Sequence, residues 1–194
     1  TYRVDTICKY LVYPKNSEEL INILKELKKE NIKYYFLGNG SNIILSMKYY
    51  DGVIIKLDKM NTINYDGNLV TADAGCSLIK LAMDTIDKSL SGLIFATGIP
   101  GQVGASTAMN AGAYNSDMAS AIKKVTILDE NLQIKELNNR DLLFSYRDSY
   151  LKKNPNLIVL STTFELTPGI KEEMLAKVSE RKNKRMASQP LNMP

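Results

Sequence analysis

An α+β fold of two lobes is predicted by three features of this sequence. A capped amphipathic helix leads into short strands near the front, two β-hairpins follow with their turn residues in place, and a long strand runs into a terminal helix. The front reads as a small βαβ-like lobe over residues 1–58 and the remainder as a larger, strand-rich lobe over residues 59–187. Residues 188–194 read as a linker, because "ASQPLNMP" holds two prolines and no further hydrophobic element.

"NSEELINILKELKKENIKYYFLG" opens on Asn16 as a helix cap, places Glu19 as its capping-box partner, and repeats apolar side chains at Leu20, Ile21, Leu24 and Leu27. Residues 32–37 then read as a short aromatic strand, and "DGVIIKL" from Asp51 as another. "TINYDGNLVTADAG" reads as a hairpin about an Asp-Gly turn, and "SLIKLAMDTIDKSL" as a helix capped by Ser77. A second hairpin, "VTILDENLQIKEL", the strand "LIVLSTTFEL" and a helix beginning near Gly169 complete the chain.

Composition narrows the chemistry. The 194 residues are 44% hydrophobic and 24% charged, enough for a substantial core. Histidine is absent, which removes histidine-based nucleophilic schemes, HExxH zinc sites and imidazole proton shuttles. Catalysis is left to Arg, Lys, Tyr, Ser, carboxylates or a cofactor that brings its own reactivity. Cys8 and Cys76 have no metal-ligand spacing and read as buried or half-buried thiols without a disulfide. Apolar runs are short and no signal-like segment opens the sequence, so the expectation is a cytoplasmic chain with no membrane partner. The net charge of +4 gathers in "KVSERKNKR", which reads as a solvated helix face; without interleaved aromatics or a motif, no nucleic-acid partner is expected.

Two glycine-rich loops and one arginine are the candidate site. In "LGNGSN", Gly38 and Gly40 allow backbone angles that let successive amides converge on an anion, and Asn39, Ser41 and Asn42 add side-chain donors. A tight connection between strands explains the same residues. The dinucleotide fingerprint fails here, because Ile43 stands at its third glycine and no helix follows, although Asp58 lies at the right distance for its acidic residue. In "GIPGQVGASTAMNAGAY", Pro100 suits a helix's first turn and the amides after it suit an anion, while Gly101, Gly104, Ala105 and Ser106 admit a flat ring or diphosphate against the backbone. Close helix–sheet packing is the alternative. Two such loops suggest an extended dinucleotide. In "FSYRDSY", the Arg147 guanidinium offers a planar charged fork for a carboxylate, or else a surface ion pair with Asp148 or Asp141.

Taken in order and separation, "LGNGSNIILS", "GIPGQVGASTAMNAGAY" and "YRDS" resemble the UDP-N-acetylenolpyruvoylglucosamine reductases, the MurB family of peptidoglycan synthesis, over almost the whole chain. The resemblance implies a two-lobed FAD-binding fold of the PCMH/vanillyl-alcohol-oxidase type. FAD would contact Gly38, Asn39, Gly40, Ser41, Asn42, Thr97, Gly98, Ile99, Pro100, Gly101 and Gly104 around its diphosphate, and Ala105, Asn110, Gly112 and Ala113 around its ring. It further implies NADPH as hydride donor and a UDP-sugar as substrate, UDP-N-acetylglucosamine enolpyruvate becoming UDP-N-acetylmuramate. Arg147 matches the family's catalytic arginine, with Tyr146 beside it at the substrate carboxylate.

The sequence departs from the family pattern at Asp5 and Thr6, where paired glycines are usual, and at Ala105, commonly a glycine beside the flavin; added bulk or charge there would weaken FAD binding. The family's proton-donating serine and catalytic glutamate lie beyond "QPL", in a C-terminal substrate domain that these residues do not include. The expectation is therefore an FAD-binding part of the reductase, not fully active by itself. The alternative is a stand-alone, non-catalytic flavin- or nucleotide-binding module, for which encoded length is the discriminator.

Overall fold

Residues 6–188 are described by a computed structural model of the chain. Asp5 and residues 189–194 of the expected linker lie outside them. Asn16 caps α1 (Ser17–Lys29), its side chain accepting from the Glu19 amide at 2.8 Å. The Glu19 carboxylate returns the interaction one residue further out, at the Lys15 amide. The helix buries Leu20, Leu24 and Leu27 and leaves Ile21 half-buried, each buried leucine stabilising the fold by about 2 kcal/mol. These side chains meet Val53 and Ile55 of β3 (Tyr49–Ile55), which lies between β1 (Ile7–Val12) and β2 (Tyr34–Phe36) in an all-parallel sheet of order β1-β3-β2.

The first strand carries no clean alternation, with four of its six residues exposed, which is why it is not legible as a strand in the sequence. Leu128 and Leu160 complete this core from later in the chain. The small lobe therefore does not close its core unaided.

The second sheet is antiparallel, of order β10-β9-β11-β5-β4. Its first hairpin joins β4 (Ile63–Asp66) to β5 (Leu69–Asp73) through Gly67 at φ +59° and Asn68. Only a glycine takes that angle freely, which is the physical content of the Asp-Gly signal. Helix α2 (Leu78–Asp87), with Ser77 accepting from the Lys80 amide, joins the core of this sheet through Leu78, Leu81 and Ala82 and also buries Ile86. The chain then runs through β6 (Leu90–Ser91), a 3-10 turn at Ile94–Gly98, the six-residue helix α3 (Val103–Ala108), and the small pair β7 (Gly112–Ala113) and β8 (Ser116–Asp117). The second hairpin is β9 (Ile122–Leu128) with β10 (Ile134–Asn138). A short helix α4 (Tyr150–Lys153) precedes the long strand β11 (Ile158–Glu165), which takes the sheet's central position. The pair β12 (Thr167–Pro168) and α5 (Lys171–Ser188) follow, so Ser188, expected in the linker, ends a helix.

The basic stretch on α5 is mostly exposed, as expected, with Arg181 and Arg185 half-buried. Arg181 stacks 4.4 Å above the Tyr114 ring, and Arg185 donates to the Gly98 carbonyl. The Arg185 bond holds α5 against the Ile94–Gly98 turn, and Arg181 holds it against the residue after β7. Cys8 is half-exposed and Cys76 buried, where loss of solvent and then the Asp73 charge push its thiol up to about 11. Among the described residues no helix is long and apolar enough to cross a membrane, and no cluster of acidic residues and cysteines suits a metal ion.

The β9–β10 turn supplies a titratable staple. Asp129 is buried, accepts from the Asn131 and Gln133 amides at 2.9 Å, and pairs with Lys135 at 2.6 Å. The bond from Lys135, followed by the amide of Gln133, holds its carboxyl below the usual range. A carboxylate lowered in the folded state contributes stability that is complete above its unfolded value and lost as the pH falls through the lower, folded one. Asp129→Asn is therefore expected to lower the unfolding free energy most near neutral pH. Denaturant titrations should show that deficit shrinking below about pH 4.

Candidate functional site

The amide of Leu37 donates to Ile55 at 3.0 Å, the last tie of the β2 segment to its sheet, and the chain then turns away with Gly40 at φ +66°. Residues 38–42 so released line one wall of a cleft of about 610 Å³. Their backbone amides donate no hydrogen bond among the described residues. Successive unbonded amides on a glycine turn are the donors from which anion-binding nests are built. A second stretch, Ile99, Pro100, Gly101, Gln102 and Ala105, supplies another wall, and Ala111, Gly112 and Arg147 complete the lining. A volume of this order suits a cofactor-sized ligand.

The second loop is not the helix N-terminus that its sequence suggests. Helix α3 begins at Val103, three residues after Pro100, and its first amides are already used: Val103 donates to Cys76 and Gly104 to Ala74, both at 2.9 Å. A Cβ on Gly104 would stand 2.7 Å from that of Ala74, so this glycine serves close packing of α3 against the end of β5. It lines a smaller neighbouring pocket of about 210 Å³, walled mainly by apolar side chains. Gly101 does line the main cleft, and a Cβ there would meet the Ser106 hydroxyl at 2.8 Å.

Four more of the expected contacts stand behind the wall. Thr97 spends its hydroxyl on the Ile94 carbonyl at 2.9 Å, and the Gly98 carbonyl faces Arg185. Asn110 is buried with its amide donating to Asp117 and to the Ser145 carbonyl, and its oxygen accepting from the Ala119 amide. These bonds require φ +45° at Asn110, a left-handed angle that asparagine tolerates. Ala113 pairs with Ser116 in the β7–β8 ribbon and does not line the cleft. Of the two expected departures inside the described residues, Ala105 sits on the cleft wall, while Thr6 donates its hydroxyl to the Met47 carbonyl.

Arg147 reaches the cleft from a strained turn, with φ +56° between the mutually bonded Ser145 and Asp148. The turn is held against α3 by Ser149, which caps α4 and donates to the Ala108 carbonyl at 2.6 Å. Asp148 pairs with Lys153 at 2.8 Å and Asp141 lies 3.7 Å from Arg140, and among the described residues neither pairs with Arg147. The guanidinium instead donates to the Asn110 carbonyl at 3.2 Å and to the Gly112 carbonyl. Neutral oxygens orient the fork without cancelling its charge, and among the described residues three of its five N–H groups have no acceptor. Tyr146 is 87% exposed outside the cleft, its ring 5.0 Å from the guanidinium carbon.

Sequence reasoning missed the link between the walls. Gln102, 6% exposed, donates to Asp58 at 3.0 Å, and Asp58 is the residue set aside with the dinucleotide fingerprint. No periodicity connects positions 58 and 102, so only the fold brings them together.

The fold and the cleft define the class. A model of the FAD binding domain family matches residues 8–138, and the chain belongs to that family. It is 39% identical over 196 residues to the UDP-N-acetylenolpyruvoylglucosamine reductase of Caldicellulosiruptor saccharolyticus, and 39% over 193 residues to that of Clostridium perfringens. All of this chain and 63% of each relative are covered. Among solved structures, that of the UDP-N-acetylenolpyruvylglucosamine reductase (MurB) from Thermus caldophilus superposes with a TM-score of 0.77 at 29% identity, over 92% of this chain and 63% of the other. The wild-type glucose dehydrogenase Phl p 4.0202 shares the fold, with a TM-score of 0.65 at 15% identity over 87% of this chain and 37% of its own. The α+β, PCMH-type FAD-binding fold expected from the resemblance is thereby established. FAD fits the donor set: free amides on one wall suit a diphosphate, and small residues on the other admit a planar ring.

Proposed function

We propose that this chain is the FAD-carrying part of an NADPH-dependent reductase that converts UDP-N-acetylglucosamine enolpyruvate to UDP-N-acetylmuramate in peptidoglycan precursor synthesis. The observation that carries the reading is that residues 38–42, whose amides donate no hydrogen bond among the described residues, share one cleft with Gly101, Ala105 and Arg147, and that Arg147 has no ion pair among those residues. When bound, FAD supplies a hydride to the enolpyruvyl double bond, having received one from NADPH.

Gly38, Asn39, Gly40, Ser41 and Asn42, with Ile99, Pro100 and Gly101, would hold the diphosphate, and Ala105 and Gly112 would flank the ring; all of them line the cleft. Thr97, Gly98, Gly104, Asn110 and Ala113 serve from behind, fixing the backbone of that wall. Arg147 binds the substrate carboxylate with the N–H groups it does not spend on Asn110 and Gly112, and stabilises negative charge as the double bond is reduced. Tyr146 stacks on the guanidinium and shields one of its faces. The lobes meet at residues 58 and 59. The proton-donating serine and the glutamate belong to a substrate domain that follows this segment, as the resemblance implies.

The test is a chimera in which this chain replaces the matching segment of the Caldicellulosiruptor saccharolyticus reductase. Arg147→Ala is expected to keep the bound-flavin absorbance and lower turnover by about 10²–10³-fold, the scale of removing one charge-stabilising group. Turnover unchanged by that substitution would remove the catalytic assignment.

A further inference from the structure

Lys56, just beyond β3, touches two oxygens. Its Nζ donates to the Gly38 carbonyl at 3.2 Å and lies 3.4 Å from Oδ2 of Asp58. Asp58 is held from the other side, Oδ1 accepting from Gln102 at 3.0 Å. Its Oδ2 is buried and has no hydrogen bond, so the Lys56 ammonium compensates it. The chain Gln102–Asp58–Lys56–Gly38 thus ties the glycine turn to the second wall of the cleft.

The bond to Gly38 has a geometric consequence. In a planar trans peptide the C=O of one residue and the N–H of the next point in opposite directions. With the Gly38 carbonyl held on the Lys56 side, the Asn39 amide faces the other way, and it donates no hydrogen bond among the described residues.

We propose that Lys56 is a positioning residue for the nest: anchored by Asp58, it holds the Gly38 carbonyl so that the amides from Asn39 onward face the anion, which Lys56 itself does not touch. The inference rests on the reading of this cleft as an FAD site and extends it to a residue outside the cleft lining. It separates a charge used to set backbone direction from a charge used to bind phosphate.

Flavin fluorescence titrations of the chain test it. Lys56→Met is expected to raise the FAD Kd about tenfold or more, and Lys56→Arg, which keeps a donor, to stay within about threefold of the unchanged chain. The doubly exchanged Lys56→Asp, Asp58→Lys protein restores opposite charges but sets a carboxylate against the Gly38 carbonyl. It is expected to recover no affinity, whereas a pair that merely stabilises the fold would recover it. Amide NMR spectra without FAD should show the Asn39 and Gly40 signals moved or broadened in Lys56→Met and retained in Lys56→Arg.

Unchanged affinity in Lys56→Met, or affinity regained by the exchanged pair, overturns the proposal. If the unchanged chain binds no FAD, it is the reading of the cleft that fails. The NMR comparison then decides the positioning role alone, and unmoved Asn39 and Gly40 signals in Lys56→Met contradict it. Should Lys56→Met not fold, Asp58→Asn takes its place, with an expected loss of about threefold or more; no loss overturns the proposal.

Discussion

Gly75→Ala is expected to destabilise the chain by about 4 kcal/mol, within the range reserved for severe backbone overlap, against a total of about 5–15 kcal/mol for a domain. A Cβ on Gly75 would overlap the Leu57 carbonyl and stand 2.6 Å from the Met60 carbonyl. Both are backbone atoms, and the Met60 oxygen is fixed by the Gly75 amide at 3.0 Å. Neither can retreat without moving the segment that joins the two sheets. Gly67→Ala is the matched control, since nothing lies within 4 Å of its Cβ and only the positive φ opposes the change. It should cost about 1 kcal/mol. Denaturant unfolding of both variants checks the contrast, and similar losses in the two would show that the Gly75 contact is relieved by backbone shifts.

Gly40→Val is expected to raise the FAD Kd by about a hundredfold, through a cost of about 1–3 kcal/mol at the turn added to misdirected amides. Space is not the obstacle, since the nearest atom to a Cβ there is a methyl of Ile43 at 3.9 Å. The φ of +66° is the obstacle, because a β-branched side chain is strongly disfavoured there. Relaxing it rotates the peptide units whose N–H groups form the nest. Gly40→Asn, which tolerates the left-handed region, should stay within about fivefold of the unchanged chain. Equal, large losses in both variants would trace the effect to side-chain bulk instead.

Much of this was legible because local chemistry and fold agree. Asn16 and Ser77 cap the helices they announce, the Asp-Gly pair makes its hairpin, and Gly40 adopts the angle that its loop suggests. Arg147 stands out in the sequence as a planar charged group, but that Asp148 does not pair with it is not legible there, because that depends on Lys153 pairing with the aspartate. The stretch after Pro100 misled in an instructive way. Its small residues do line a cleft, yet the amides at Val103 and Gly104 are claimed by the turn after β5, a long-range contact with no local signature. The same holds for Lys56, Asp58 and Gln102, whose meeting is a property of the tertiary fold.

The proposed function rests on main-chain amides at residues 38–42 holding one FAD. The most direct measurement is isothermal titration of the chain with FAD, run beside the Gly40→Val variant. Saturable binding at one FAD per chain is expected, with affinity largely lost in the variant. No heat of binding in the unchanged chain, or equal binding by both proteins, would contradict it.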